Sequence, residues 1–211
     1  MGRPRSPRLS RRATLEAALR IADEEGLAQL SVRRLASELE VNAASLYHHF
    51  SGKDEILVGV ARLALVGVRT PTSNERDWRE WLVDNVVGYR SALLRHPELT
   101  PLLIRRHPLR IGIDEHDATT ARLRDGGVPD GLILPLLEAL EALALGSAIY
   151  RCGAAGDDEG ASWRDAYPSL SRALQDAAMS DEMAFLVCAR AAIDALMAAF
   201  RTLGSDKPIA D

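Results

Sequence analysis

The 211-residue chain has little cysteine, little lysine and few aromatic residues: two cysteines, two lysines among 26 basic side chains, and 5% Phe, Trp and Tyr. Cys152 and Cys188 stand in apolar contexts with no CxxC pair. That excludes a disulfide framework and reads as buried, reduced thiols in a cytoplasmic protein. There is no GxSxG, no phosphate-binding glycine loop and no HxxxH. His48 and His49 are adjacent, so on a helix they diverge. No catalytic set, no metal site and no cofactor is expected. The basic N-terminus is followed by no apolar segment, so it does not read as a signal peptide. The most apolar run, Leu132 to Tyr150, is interrupted by Pro135, Glu138 and Glu141. It reads as the buried helix of a soluble protein, and no membrane span is expected.

What is present is helix-forming: 47% hydrophobic residues, rich in Ala, Leu and Arg, with ten prolines. An all-α chain with one substantial core and a smaller module is expected. Charge is unevenly distributed. Residues 1–53 hold nine basic and six acidic side chains, a balance of +3, whereas 54–211 hold 17 and 24, a balance of -7. A basic head on an acidic body suits contact with nucleic acid at one end only.

The first nine residues, MGRPRSPRL, read as a flexible basic arm. Arg3 and Arg5 suit either an extended minor-groove insertion or a non-specific phosphate tail. Ser10 is placed to cap a helix ending at Gly26, Ser31 a helix over Val32–Leu39, and Asn42 a third over Ala43–His49. Ser51 with Asp54 reads as a capping box opening a fourth helix, running to about Arg69. Longer helices follow near Asn74–His96, Pro97–Arg106, Asp114–Asp125, Pro129–Gly153, Trp163–Met179 and Ser180–Leu203. Pro135 should kink the fourth of these or delay its start, and the acidic, glycine-rich 153–160 reads as a loop.

The segment Leu30 to Lys53 carries the chemistry. Two short helices joined by a tight turn, the second opening on small residues, form the pattern of a helix-turn-helix whose second helix enters the major groove. Ala43, Ala44 and Ser45 permit close approach, Ser45, Tyr47, His48 and His49 offer polar tips to base edges, and Asn42 at the helix start is a further DNA-contact candidate. Arg33, Arg34 and Lys53 are placed to reach phosphates. The competing readings are ordinary ones: Arg33 and Arg34 as solvated charges, and Tyr47 as a packing residue.

Residues 13–58 resemble the N-terminal domain of the tetracycline-repressor (TetR) family of bacterial transcription regulators. The likeness is carried by Ala18, Ile21, Ala22, Gly26, Leu30 to Ala36, Val41, Leu46 to Phe50, Lys53 and Leu57. It implies that Tyr47 and Lys53 hold phosphates, that Arg33 lies close to DNA, and that Ala43, Ser45 and His48 face the groove. It also implies a glycine before Val41, where this chain has Glu40. If that residue is left-handed, the departure costs on the order of 1 kcal/mol.

The expected organisation is an arm over 1–9, a helix-turn-helix domain over 10–57, a helical regulatory and dimerisation domain over 58–204, and a tail over 205–211. Half-site symmetry of operators calls for a homodimer. Leu136, Leu137, Leu140, Leu143, Leu186, Arg190, Ile193, Leu196 and Met197 are its candidate interface, with internal core as the alternative. The resemblance further implies a pocket for a small-molecule effector in the body. Trp81, Tyr89, Leu93, Leu102, His107, His116, Leu143, Ser147 and Tyr150 are candidate lining, and equally good core. The expected function is a repressor of double-stranded operator DNA, released by an effector. The alternatives are a constitutive or architectural DNA-binding dimer, an activator, or a DNA-binding enzyme.

Overall fold

The computed structural model describes residues 10–65, 77–105, 111–154, 164 and 166–205. The arm with Arg3 and Arg5, His107, most of the loop expected at 153–160 and most of the tail lie outside these residues. Among the described residues every regular element is a helix: α1 (Arg11–Glu25), α2 (Val32–Glu38), α3 (Ala43–Leu46), α4 (Lys53–Ala64), α5 (Trp78–Arg95), a 3-10 turn (Pro97–Leu99), α6 (Thr100–Arg105), α7 (Ile113–Asp125), α8 (Asp130–Ala154), α9 (Pro168–Gln175) and α10 (Asp181–Ser205).

The chain divides into two compact units. The described part of the first is 10–65, 95–105 and 111–116. Its short helices begin on side-chain caps. The Ser10 hydroxyl accepts the Ala13 N–H at 3.1 Å, the Ser31 hydroxyl the Arg34 N–H at 3.1 Å, and Asn42 Oδ1 the Ala44 N–H at 2.9 Å. Such caps matter most where a helix has too few turns to be stable alone. The core joins Ala17, Ala18, Ile21 and Ala22 of α1 to Leu35, Leu46, Phe50, Ile56 and Val60, with Leu99 closing it. Leu15 and Leu19 pack at its margin. Gly59 lets α4 approach α1: a Cβ there would stand 2.6 Å from Leu15 Cδ2. The domain boundary expected at residue 57 therefore falls inside α4, whose Val60 and Ala64 belong to the same core.

The second unit is described over 77–94, 117–154, 164 and 166–205. Its core is built from Trp81, Leu82, Val86, Tyr89 and Leu93 of α5, Leu136, Leu140 and Ala144 of α8, and Phe185, Ala189 and Ile193 of α10. Each large side chain buried here contributes roughly 1.5–3 kcal/mol. Arg90 is buried with them. Its guanidinium pairs with Asp181, donates from Nε to the Ser147 hydroxyl at 2.7 Å, and lies 4.9 Å from the centre of the Phe185 ring. Arg151 Nε lies 3.2 Å from the same Asp181 carboxylate. One ion-pair cluster thus fastens α5, α8 and the start of α10.

Several expectations are corrected here. Pro135 lies within α8 without delaying its start at Asp130. Cys152 and Cys188 are exposed. Of the candidate dimer residues, Leu136, Leu137, Leu140, Ile193 and Met197 are buried in the chain's own core. Leu136, Leu140 and Ile193 keep almost no surface for a partner, Leu137 and Met197 about 8% each. Leu143, Leu186 and Leu196 are half-buried and Arg190 is exposed. Among the described residues, the large apolar side chains left open on the two helices are Leu134, Ile149 and Tyr150 on α8 and Met183, Val187 and Leu203 on α10. Both helices are long and apolar enough, by length and composition, to cross a membrane. Being apolar on several sides, they hide from periodicity which side faces inward.

Candidate nucleic-acid interface

The candidate reading surface is built around a helix of only four residues. Past Leu46 the chain continues as a turn over residues 47–49, where the His49 and Phe50 N–H groups both reach the Leu46 carbonyl at 3.0 Å. Leu46 and Phe50 plunge into the head core. By that alternation Tyr47 and His48 are turned outward, Tyr47 with 58% of its surface exposed. Lys53, at the first position of α4, is exposed beside the N–H groups that open that helix, an arrangement that favours a phosphate. Arg33 is exposed as well.

Other nominated residues fall out differently. Ala43 packs against the head core, so Ala44 is the exposed small residue of the pair. Ser45 and His49 are half-buried, and the Asn42 side chain is engaged as a cap. Arg34 is turned back into the protein. Its guanidinium holds Glu25 through Nε at 3.1 Å and Glu38 through Nη1 at 2.9 Å. The two carboxylates raise the Arg34 pKa, and the guanidinium lowers that of Glu25. With two acids on one cation, Arg34 has little left to offer a phosphate; it ties α1 to α2.

Glu40 occupies the left-handed region with φ 53°. The Glu40 N–H bonds the Ser37 carbonyl at 3.2 Å and the Val41 N–H the Ala36 carbonyl at 3.0 Å. These are the two crossed bonds of a Schellman ending, in which the C′ residue is usually glycine. The turn geometry is therefore the one a glycine would serve, with a carboxylate attached.

The junction between α3 and α4 is fastened by residues that motif reading passes over. The Ser51 N–H and hydroxyl both donate to Glu55 Oε2, at 2.7 and 2.9 Å. The acid that closes on Ser51 is thus Glu55, one residue beyond the expected Asp54. Arg11 donates from Nη1 to the His49 carbonyl at 2.6 Å and pairs through Nη2 with Glu55 Oε1 at 2.7 Å. The Ser51 backbone N–H, then Arg11 and the Ser51 hydroxyl, hold the Glu55 carboxyl down at about 2. The i,i+4 spacing of Ser51 and Glu55 was the available signal; nothing in the spacing of Arg11 marks it.

The candidate pocket residues do not converge within one unit. Leu102 and His116 belong to the first, whereas Trp81, Tyr89, Leu93, Leu143, Ser147 and Tyr150 belong to the second. Trp81, Tyr89 and Leu93 are core, Leu143 is half-buried, the Ser147 hydroxyl is engaged by Arg90, and Tyr150 is 79% exposed. A cavity of about 230 Å³ in the second unit is lined by Asp77, Arg79, Glu80, Val83, Arg190, Ile193 and Asp194. None of these was nominated as pocket lining. No group of three or more metal-ligating side chains occurs among the described residues.

Comparison with known proteins gives this geometry its context. Residues 15–60 match the family model for bacterial regulatory proteins of the tetR family, and residues 70–185 match the tetracyclin repressor-like C-terminal domain. The chain is 28% identical to the class C tetracycline repressor protein of Escherichia coli over 72% of its own length and 70% of that protein's. It is 30% identical to the HTH-type transcriptional repressor DrrR1 of Streptomyces coeruleorubidus over 80% of its length and 65% of that protein's. Among solved structures, apo ActR from Streptomyces coelicolor superposes with a TM-score of 0.71 at 27% identity, covering 91% of this chain and 96% of ActR. ActR has also been solved in complex with actinorhodin. Family regulators of this kind are soluble DNA-binding proteins that act as dimers and respond to small molecules. With both halves matched, this chain belongs to the TetR family of ligand-responsive, DNA-binding transcriptional regulators.

Proposed function

We propose that the protein is a homodimeric cytoplasmic repressor, not an enzyme, that reads a two-fold symmetric operator with its N-terminal heads. A small molecule taken up by the second unit releases it. The observation that carries this reading is the division of cations in the head. Arg33 and Lys53, with Tyr47 and His48, stand outward, while Arg34 is neutralised within the fold. Dimerisation is supported by Leu134 and Ile149 of α8 and Met183 and Val187 of α10, large apolar side chains about half exposed on helices that already pack together. Apolar surface of this kind is characteristic of a partner-binding face.

A route for the effector's influence is supported by α7. Its first residues belong to the first unit and the remainder to the second. Arg62 of α4 reaches Glu115 at 3.1 Å and Asp114 at 3.4 Å in the first turn of α7. An effector that shifts α7 acts through that pair on α4, and DNA in turn acts on effector affinity by the same factor. The test is operator binding by fluorescence anisotropy alongside thermal melting, across a small-molecule library. An effector should both raise the melting temperature and weaken operator binding. Compounds that bind and stabilise the protein without changing its operator affinity would instead favour a constitutive DNA-binding dimer.

A further inference from the structure

Arg11 and Glu55 enclose the segment that joins the reading turn to α4. On one side the Arg11 guanidinium holds the His49 carbonyl and lies 4.6 Å from the centre of the Phe50 ring. On the other, Glu55 Oε2 takes both donors of Ser51. Arg11 Nη2 and Glu55 Oε1 close the loop at 2.7 Å. Residues 49, 50 and 51 are each engaged by this one pair. The groups that face outward lie immediately either side: Tyr47 and His48 before it, Lys53 after it. A four-residue helix cannot hold its own direction, because helix nucleation is costly and short helices depend on tertiary contacts. Leu46 and Phe50 fix its depth in the core shared with α1 and α4, and the clamp adds directional polar contacts from its exit to both helices.

We propose that Arg11 and Glu55 are positioning residues for DNA recognition, setting the spatial relation of Tyr47 and His48 to Lys53. Arg11 acts here through the protein, with Nη1 and Nη2 both committed to it, rather than as a phosphate contact. The proposal rests on the head being the DNA-reading surface, and charge separates the two roles. Removing the acid Glu55 from a DNA-binding head should tighten binding if only long-range electrostatics counts. It should weaken binding if the clamp positions the reading surface.

The experiment measures affinity of the full-length protein for a duplex selected from random DNA, over a range of salt concentrations. The variants are Glu55→Gln, Arg11→Ala, their double substitution, and Tyr47→Ala. Glu55→Gln and Arg11→Ala should each weaken binding about tenfold, and the double substitution should be little worse than either, as coupled residues behave. The slope of log affinity against log salt should stay as in the wild type, because no phosphate contact is lost. Melting curves identify any variant that is unfolded. If Arg11→Ala is, the isosteric Glu55→Gln and its salt series decide the matter alone. Unchanged or tighter binding by Glu55→Gln overturns the proposal, as does a slope reduced by about one in Arg11→Ala. If Tyr47→Ala keeps full affinity, the reading surface lies elsewhere and the clamp's role falls with it. If Tyr47→Ala loses binding while Glu55→Gln keeps it, only the clamp falls.

Discussion

The two units are held together in different ways. The head is a set of short helices, of 15, 7, 4 and 12 residues, whose ends are tied by Ser10, Ser31, Asn42 and the Arg11–Glu55–Ser51 clamp. Its charges sit at the margins, partly exposed, where each contributes little alone and where geometry is their main product. The second unit relies on two helices of 25 residues and on apolar area. Among its described polar features is the cluster around the buried Arg90, whose partners Asp181 and Arg151 stay partly exposed. On the proposed reading, polar groups at the head's margin orient a surface for DNA, whereas a guanidinium buried in the second unit matters chiefly when its pairing is broken.

The sharpest way to break that contrast is to remove one partner from each kind of cluster. Asp181→Asn leaves the Arg90 guanidinium, whose side chain is only 6% exposed, without its anion. Loss of one partner from a buried pair costs on the order of 3 kcal/mol, so a large fall in melting temperature is expected from calorimetry. Operator affinity of the protein that remains folded should change far less. If Asp181→Asn leaves stability unchanged, burial does not set the weight of polar clusters in this protein.

Glu40→Gly tests the head's strained turn. Glycine adopts φ 53° without the side-chain penalty, so stability should rise by about 1 kcal/mol in denaturant titration. Removing a carboxylate from the helix-turn-helix turn should also tighten DNA binding. A loss of stability would mean that the Glu40 side chain contributes more than its backbone strain takes away.

Arg33 and Arg34 are adjacent in sequence and opposite in setting, the first exposed and the second paired with Glu25 and Glu38. Arg33→Ala should lower operator affinity and reduce the salt slope by about one, with melting unchanged. Arg34→Ala should lower melting slightly by freeing Glu25 and Glu38, with the salt slope intact. The reverse pattern would place the wrong arginine at the DNA.

The smallest effect expected is a pH dependence carried by Glu55. Its carboxyl has an ordinary pKa of 4.5 and is held at about 2 in the folded head. A depressed folded pKa means stabilisation that is complete above pH 4.5 and lost as the pH falls toward 2. The stability difference between wild type and Glu55→Gln should therefore be flat above about pH 5 and shrink below it. A difference that grows on acidification would contradict the clamp geometry.

Much of the head was legible because its determinants are local. Ser10, Ser31 and Asn42 announce helix starts within three residues of themselves, and the resemblance flagged Glu40 as standing where glycine is usual. Arg34 was misread because its first partner, Glu25, lies nine residues back across a turn, beyond the reach of helical spacing. Glu38, at i+4, was the warning available. In the second unit the helix positions were legible, but the inward side was not. On α8 and α10 the residues nominated for a partner, Leu136, Leu140 and Ile193, proved to be core, while Leu134, Ile149 and Val187 remained open. A helix apolar all round carries no periodic signal to separate the two.

The most direct test of DNA reading by paired heads is selection of bound duplexes from random DNA, run in parallel with the full-length wild type and Tyr47→Ala. The wild type should enrich an inverted repeat whose half-sites lie about one helical turn or a multiple of it apart, and Tyr47→Ala should enrich none. A winning sequence without two-fold symmetry, or equal enrichment by Tyr47→Ala, would contradict the account.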